Sequence, residues 1–161
     1  MILKFNPVLH NKIWGGNKLK TIYNYPASDN CGEVWGISAH PNGSSIVSNT
    51  NYKGMTLIEL FDNHKELFGN YKGNEFPILV KVIDAKDNLS IQVHPNDEYA
   101  KQYHSLGKEE CWYILDTDPN TKIMIGHKAK TKEGLNTAID NDTIESLVNY
   151  FPISKGDFFY I

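Results

Sequence analysis

Short runs of β-branched and aromatic residues, separated by dense turn signals, constrain the fold of this chain more than any other feature of its sequence. Glycine, proline, asparagine and aspartate cluster in the turns, for example at residues 40–43 and 116–120. Between such turns, β-branched and aromatic residues favour extended backbone and antiparallel pairing. The predicted strands cover residues 33–38, 45–48, 78–84, 89–94, 111–115, 123–127 and 157–161. The sequence therefore predicts a mainly β fold.

Helical segments are predicted as insertions in this β framework. Thr56 and Glu59 have the spacing of a capping box ahead of an apolar pair, which predicts a helix through about residue 64. Asn96 or Asp97 can cap a short helix through His104, which Gly107 closes. Further helices are predicted over residues 131–140 and 142–150.

Length and charge limit the class of protein. A chain of 161 residues can form one domain with its own core, and no composition shift or linker divides it, so we expect a single domain over residues 1–161. The formal net charge of -3 offers no basic stripe for nucleic acid or for an anionic membrane. The first residues lack the long apolar run of a signal peptide, and no apolar segment is long enough to span a bilayer. We expect a cytoplasmic protein.

A candidate metal site lies in the segment 89–95 and the strand that follows it. Residues two apart on a strand face the same side, so Gln92 and His94 would project together. A carboxylate at Glu110, sixteen residues after His94, leads the next predicted strand and could face them. Imidazole with carboxylate suits zinc and other first-row divalent ions. The alternative is that His94 packs or hydrogen-bonds structurally, as most single strand histidines do.

Several segments together resemble the type I phosphomannose isomerases, the zinc-dependent mannose-6-phosphate isomerases, in their short bacterial form. The resemblance runs through nearly the whole chain, in the order and at the spacing of the family. Near the C-terminus, a glycine-aspartate turn into an aromatic strand resembles the opening of the second cupin motif. The matching segments are residues 13–16, 32–43, 76–85, 89–95, 106–113 and 152–161. The resemblance implies a cupin-like jelly roll, incomplete at the C-terminus.

The resemblance also implies a zinc site in this chain. His94 and Glu110 match two zinc ligands of the family, and Gln92 matches a glutamine that contributes to the metal site in some members. Periodicity alone does not choose between Glu109 and Glu110, and the family match selects Glu110. The expected cofactor is Zn2+.

For the substrate, the resemblance implies a phosphorylated hexose. Ser90 and Lys108 match residues near the sugar phosphate in relatives, and Lys81 is a weaker pocket candidate. The family interconverts mannose 6-phosphate and fructose 6-phosphate through an enediol, which needs an electrophile at the carbonyl and an acid or base near the reacting carbons. No residue of this chain is assigned to the proton transfer.

Three interpretations of the chain stay open at this point. A full family member is expected to continue for about another domain, with a last histidine ligand and an arginine that have no matching position here. The chain is then the amino-terminal part of an isomerase, a stand-alone cupin-like module that binds metal or sugar phosphate without turnover, or a structural remnant. An aromatic strand over residues 157–161 would expose an apolar edge, which favours a homo-oligomer formed through that strand.

Overall fold

The computed structural model describes all 161 residues and divides into two compact units, Met1–Ser90 and Ile91–Ile161. Each unit consists mainly of antiparallel strand pairs with a few short helices, as the turn spacing predicts. No helix is long and apolar enough to cross a membrane, and the longest has nine residues. Each compact unit is smaller than the single domain expected over residues 1–161, and that domain stays a prediction.

The first unit is built around a three-stranded antiparallel sheet. Its elements are β1 (Phe5–Asn6), β2 (Val8–Asn11), α1 (Lys18–Thr21), β3 (Cys31–Ile37), β4 (Ala39–His40), β5 (Gly43–Ser44), β6 (Ile46–Val47), α2 (Leu57–Asn63) and β7 (Val80–Ile83). The sheet has the order β2-β3-β7, and two short antiparallel pairs, β1 with β6 and β4 with β5, accompany it.

One face of this sheet carries the core of the first unit. Leu9, Val34 and Val82 are register partners on β2, β3 and β7, so their side chains share that face. Val34 packs with Leu19 of α1 and with Cys31, and all three are fully buried. Full burial of an aliphatic side chain contributes about 1.5 to 3 kcal/mol each, so this face holds α1 against the sheet.

A capping box starts α2, as the sequence predicts. The Thr56 hydroxyl accepts a hydrogen bond from the Glu59 backbone N–H at 3.2 Å, and the Glu59 carboxylate accepts one from the Thr56 backbone N–H at 2.8 Å. The backbone and hydroxyl bonds from Thr56 lower the pKa of the Glu59 carboxyl below its ordinary value. The helix buries Leu57, Leu60 and Phe61, whose spacing places them on one face.

Replacing the capping threonine should destabilise the first unit. In a Thr56→Ala chain, the first turn of α2 loses its side-chain acceptor, so the free energy of unfolding should fall by about 1 kcal/mol. Urea denaturation followed by circular dichroism measures this change. Thr137→Ala is the matched control, because Thr137 is an exposed residue inside a helix, where alanine is at least as favourable. An equal loss in both variants would contradict the capping role.

The second unit contains two antiparallel pairs, β8 with β11 and β9 with β10. The elements are α3 (Asp97–Ala100), β8 (Cys111–Tyr113), β9 (Lys122–His127), α4 (Lys132–Asp140), β10 (Val148–Pro152) and β11 (Phe158–Tyr160). The helix α3 precedes the strands and α4 lies between β9 and β10, and a short 3-10 turn follows each helix. Asn96 caps α3 through its side chain, as predicted, and Thr131 caps α4 in the same way.

Two of the predicted elements are wrong. Residues 88–96 form neither strand nor helix, because alternation along a segment does not supply the neighbouring strand whose backbone groups it needs. The helix predicted over 142–150 is a 3-10 turn at Ile144–Ser146 followed by β10. The β-branched and aromatic residues of β10 find hydrogen-bonding partners along β9, and this pairing outweighs a weak helical pattern.

The helical segment after Asn96, which consists of α3 and the 3-10 turn at Lys101–Tyr103, also ends differently from the prediction. The residue in the left-handed conformation is His104, with φ of 54°, and not Gly107. Gly107 has another role, because a Cβ atom there would lie only 2.6 Å from the backbone nitrogen of Asp97. The glycine therefore permits a close approach of two backbone segments.

Candidate functional site

Two hydrogen bonds near the N-terminus of α3 position the candidate site of the second unit. The Lys108 backbone N–H donates to the Pro95 carbonyl at 3.0 Å. The Gly107 backbone N–H donates to the Asp97 carboxylate at 2.8 Å. These bonds hold residues 95–97 beside residues 107–108, at the two ends of the segment that contains α3. His94, which precedes this segment, therefore lies close to the residues that lead into β8.

His94, Lys108 and Glu110 meet at this place. The Nε2 atom of His94 lies 2.5 Å from Oε2 of Glu110, and Nζ of Lys108 lies 3.0 Å from the same oxygen. The side chains of His94 and Glu110 are 15% exposed, whereas that of Lys108 is 46% exposed. The contact is a charge-assisted cluster of one carboxylate with an imidazole and an ammonium group.

Electrostatics keep the Glu110 carboxylate ionised. Partial burial alone would raise the pKa of this carboxyl, but the hydrogen bonds and positive charges of Lys108 and then of His94 outweigh it. The pKa of Glu110 therefore lies below its ordinary value. The site presents a charged oxygen ligand near neutral pH.

The neighbouring glutamate faces a different partner. Glu109 lies by the hydroxyl of Tyr160 on β11, where its charge, with some burial, raises the pKa of that hydroxyl. The carboxylate that contacts His94 is that of Glu110, a choice that periodicity along the sequence did not make. Lys108, two residues before Glu110, contacts the same carboxylate.

The donor atoms of the cluster fit a transition-metal ion in type. Imidazole nitrogen and carboxylate oxygen are common zinc ligands, and both converge here at a mostly buried position. No three His, Cys, Asp or Glu side chains of the chain gather closely enough to hold a metal ion by themselves. A metal ion bound by His94 and Glu110 would therefore take its remaining ligands from another donor type, such as an amide oxygen or water.

The remaining predicted site residues are placed as follows. Gln92 is an exposed residue of the second unit in the stretch that forms neither helix nor strand. Ser90, also exposed, is the last residue of the first unit. Lys81 lies on β7 of the first unit, in a second polar cluster.

A buried carboxylate that the sequence analysis missed forms the centre of this second cluster. Glu33 on β3 is 7% exposed, and its Oε2 accepts a hydrogen bond of 2.7 Å from the Trp35 indole N–H. Nζ of Lys12 lies 3.9 Å from Oε2, and Nζ of Lys81 lies 3.8 Å from Oε1. The available signal was a glutamate at the start of the apolar predicted strand 33–38, because a carboxylate that becomes buried there needs partners.

His10 on β2 belongs to the same cluster, because it is the register partner of Glu33 on β3. Its ring centroid lies 4.1 Å from that of Trp35, and its buried Nε2 atom has no hydrogen-bond partner. Burial, then the charge of Lys12, lowers the pKa of His10, and the smaller opposite influence of Glu33 does not reverse this. Burial therefore favours the neutral imidazole.

This lowered pKa predicts a pH-dependent stability of the first unit. Because the folded state binds the proton of His10 less readily than the unfolded state, stability is present above the unfolded pKa of about 6.5 and is lost as the pH falls below it. Urea denaturation at pH 7.5 and pH 5.5 should show a smaller difference for His10→Gln than for the unchanged chain. His127→Gln, at an exposed position, is the control and should keep the full difference. An unchanged difference in His10→Gln would contradict the assignment.

Comparison with protein families gives a match over most of the chain. The family model for the catalytic domain of type I phosphomannose isomerase matches residues 2–139. The chain is 48% identical over 155 residues to a mannose-6-phosphate isomerase of Streptococcus mutans, covering 95% of this chain and 49% of that protein. It is 47% identical over 162 aligned positions to the mannose-6-phosphate isomerase ManA of Bacillus subtilis, covering 99% of this chain and 51% of that protein.

A solved structure agrees with these relatives. The crystal structure of mannose 6-phosphate isomerase from Bacillus subtilis superposes with a TM-score of 0.95 at 46% identity, over 99% of this chain and 52% of that one. The chain thus spans about half the length of the relatives it matches.

Proposed function

Because the chain belongs to the type I phosphomannose isomerase family, we propose that it carries the metal-binding and substrate-binding part of a zinc-dependent aldose-ketose isomerase. The reaction is the interconversion of mannose 6-phosphate and fructose 6-phosphate. The fold we propose is a cupin-like jelly roll, supported by the antiparallel pairs of both units. The compartment we propose is the cytoplasm.

The observation that carries the proposal is the contact between His94 and Glu110. It brings an imidazole and an ionised carboxylate to one mostly buried place, in a chain whose relatives are named as isomerases. We assign His94, Glu110 and Gln92 as zinc ligands, and Lys108 and Ser90 as residues that bind the phosphorylated sugar. The assignments of Gln92 and Ser90 rest on the resemblance to the family.

The chemistry divides between the bound ion and the side chains around it. A zinc ion bound there would polarise the sugar carbonyl and stabilise negative charge on its oxygen. Glu110 supplies a full negative charge to the ion, and the largely buried position of the His94 and Glu110 side chains limits competition from water. Lys108, more exposed than either, offers a mobile cation to an anionic substrate.

Metal analysis and a coupled assay test this function directly. The purified chain should bind one zinc ion and, in its zinc-loaded form, mannose 6-phosphate. The activity we propose belongs to the full-length enzyme, which should yield fructose 6-phosphate in a coupled assay that a chelator abolishes. Zinc and sugar phosphate bound without turnover in the full-length protein would favour the alternative, a stand-alone binding module. A chain that binds neither would contradict the proposal.

Self-association through β11 is the partner we propose for the chain itself. Phe158 and Tyr160 on β11 are 62% and 66% exposed, and their register partners Tyr113 and Cys111 on β8 are exposed too. This face is apolar and aromatic, and β11 pairs with β8 alone, so a second copy can cover the face or extend the strand edge. Sedimentation velocity should show a dimer or larger species that a Phe158→Lys, Tyr160→Lys double variant converts to monomer. A monomeric parent chain in dilute buffer would overturn it.

A further inference from the structure

We infer that Lys108 competes with the metal ion for Glu110, so that metal binding releases the Lys108 ammonium group to bind the phosphate of the substrate. The inference rests on the proposed function and deepens it. It makes zinc and the sugar phosphate favour each other's binding through a single ion pair. It also gives Lys108 two successive partners at one site.

The first step in the argument is the occupancy of one carboxylate oxygen. Both His94 and Lys108 contact Oε2 of Glu110, at 2.5 Å and 3.0 Å. A carboxylate oxygen has two lone pairs, so these contacts use the acceptor capacity of Oε2. A metal ion that binds this oxygen together with His94 would have to displace Lys108 from it, and two positive charges on one oxygen would repel each other.

The second step is that the Lys108 ammonium group can move away from Glu110 with only a small free-energy cost. Its side chain is 46% exposed, so the ammonium group exchanges its contact with Glu110 for water or for another anion without being stranded in an apolar place. The backbone of Lys108 is held separately by its hydrogen bond to the Pro95 carbonyl. The head group can therefore move on its flexible four-carbon stem while the backbone stays in position.

The third step is the linkage between the two ligands. In the metal-free chain, Lys108 is paired with Glu110 and is less available to an anion. In the metal-bound chain, the ion would neutralise Glu110 and Lys108 would be available. Any effect of zinc on the affinity for sugar phosphate must equal the effect of sugar phosphate on the affinity for zinc, because the two are one coupling free energy.

Zinc titration of a Lys108→Met chain tests the competition without any measurement of turnover. Removing the competing cation should tighten zinc binding by about three- to tenfold, as expected for the loss of a partly exposed ion pair at the ligand. Competition with a chromophoric chelator measures the affinity. Lys108→Arg keeps the charge and should stay close to the parent chain. Lys122→Met, at an exposed position on β9, is the control for the change in net charge and should also stay close.

Calorimetric titration with mannose 6-phosphate and with mannose measures the coupling. Zinc should tighten the binding of mannose 6-phosphate more than that of mannose in the parent chain, and this difference should disappear in Lys108→Met. Equal zinc affinity in the parent and Lys108→Met chains would overturn the inference while leaving the zinc site intact. Absence of zinc binding in both chains would overturn the inference together with the proposed function. Circular dichroism of each variant verifies that the fold is retained.

Discussion

A His94→Ala chain should lose zinc affinity by more than about a hundredfold. The imidazole is one of the two donors that the structure brings together, and its Nε2 atom is 2.5 Å from Glu110. Outer partners of metal ligands already contribute ten- to hundredfold to metal affinity, so loss of a direct ligand should exceed that range. Zinc content after dialysis and chelator competition both measure the effect.

Two further variants make the His94 result specific. His127→Ala removes an exposed histidine of the same unit and should leave zinc affinity unchanged. Glu110→Gln keeps the shape of the side chain but removes its charge, and should also weaken zinc binding severely. If His94→Ala retained stoichiometric zinc, the ligand assignment would be wrong. Thermal denaturation of the metal-free variants separates loss of the ligand from loss of the fold.

A Glu33→Ala chain should lose about 2 to 3 kcal/mol of folding free energy. The change leaves the buried Trp35 indole N–H without the acceptor that it has at 2.7 Å, and it removes the anion that Lys12 and Lys81 approach. The expected loss is smaller than for a fully buried ion pair, because both lysine side chains are partly exposed. Guanidinium denaturation at pH 7 measures the loss.

Glu33→Gln separates the hydrogen bond from the charge. The amide oxygen can still accept from Trp35, so this variant should lose clearly less stability than Glu33→Ala. Glu75→Ala, at an exposed position of the first unit, is the matched control and should change the free energy of unfolding by no more than about 0.5 kcal/mol. Equal losses in Glu33→Ala and Glu75→Ala would show that the buried cluster does not stabilise the unit.

Features that depend on a few neighbouring residues were predictable from the sequence. The capping residues Thr56 and Asn96 act as predicted, because a cap needs only a side-chain oxygen and a backbone N–H two or three residues on. Most strands were found for the same reason, since turn residues and β-branched runs are local signals. The contact of Lys108 with Glu110 is equally local, because the two residues are two apart in the segment that leads into β8.

Features that depend on distant partners were not predictable in this way. Glu33 meets Lys12 and Lys81, which come from separate segments, so no local pattern around Glu33 shows that its charge is matched. The segment 88–96 alternates between apolar and polar residues like a strand, but it forms no strand in the structure. The residues of β10 form a strand because they pair with β9. Pairing decides these cases, and pairing is a property of the folded chain.

The hydrogen bond between the Lys108 N–H and the Pro95 carbonyl has a consequence for how this site can vary among related chains. It closes the excursion that contains α3 into a loop whose two ends are adjacent, much as in an Ω-loop. The residues between Asp97 and Gly107 can then be shortened, lengthened or exchanged while the contact of Asp97 with Gly107 and the bond from Lys108 to Pro95 keep His94 and Glu110 on either side of the closure. The number of residues between His94 and Glu110, which are sixteen apart in this chain, can therefore differ among related chains. A sequence search for the same site should require the two end segments and allow any length between them.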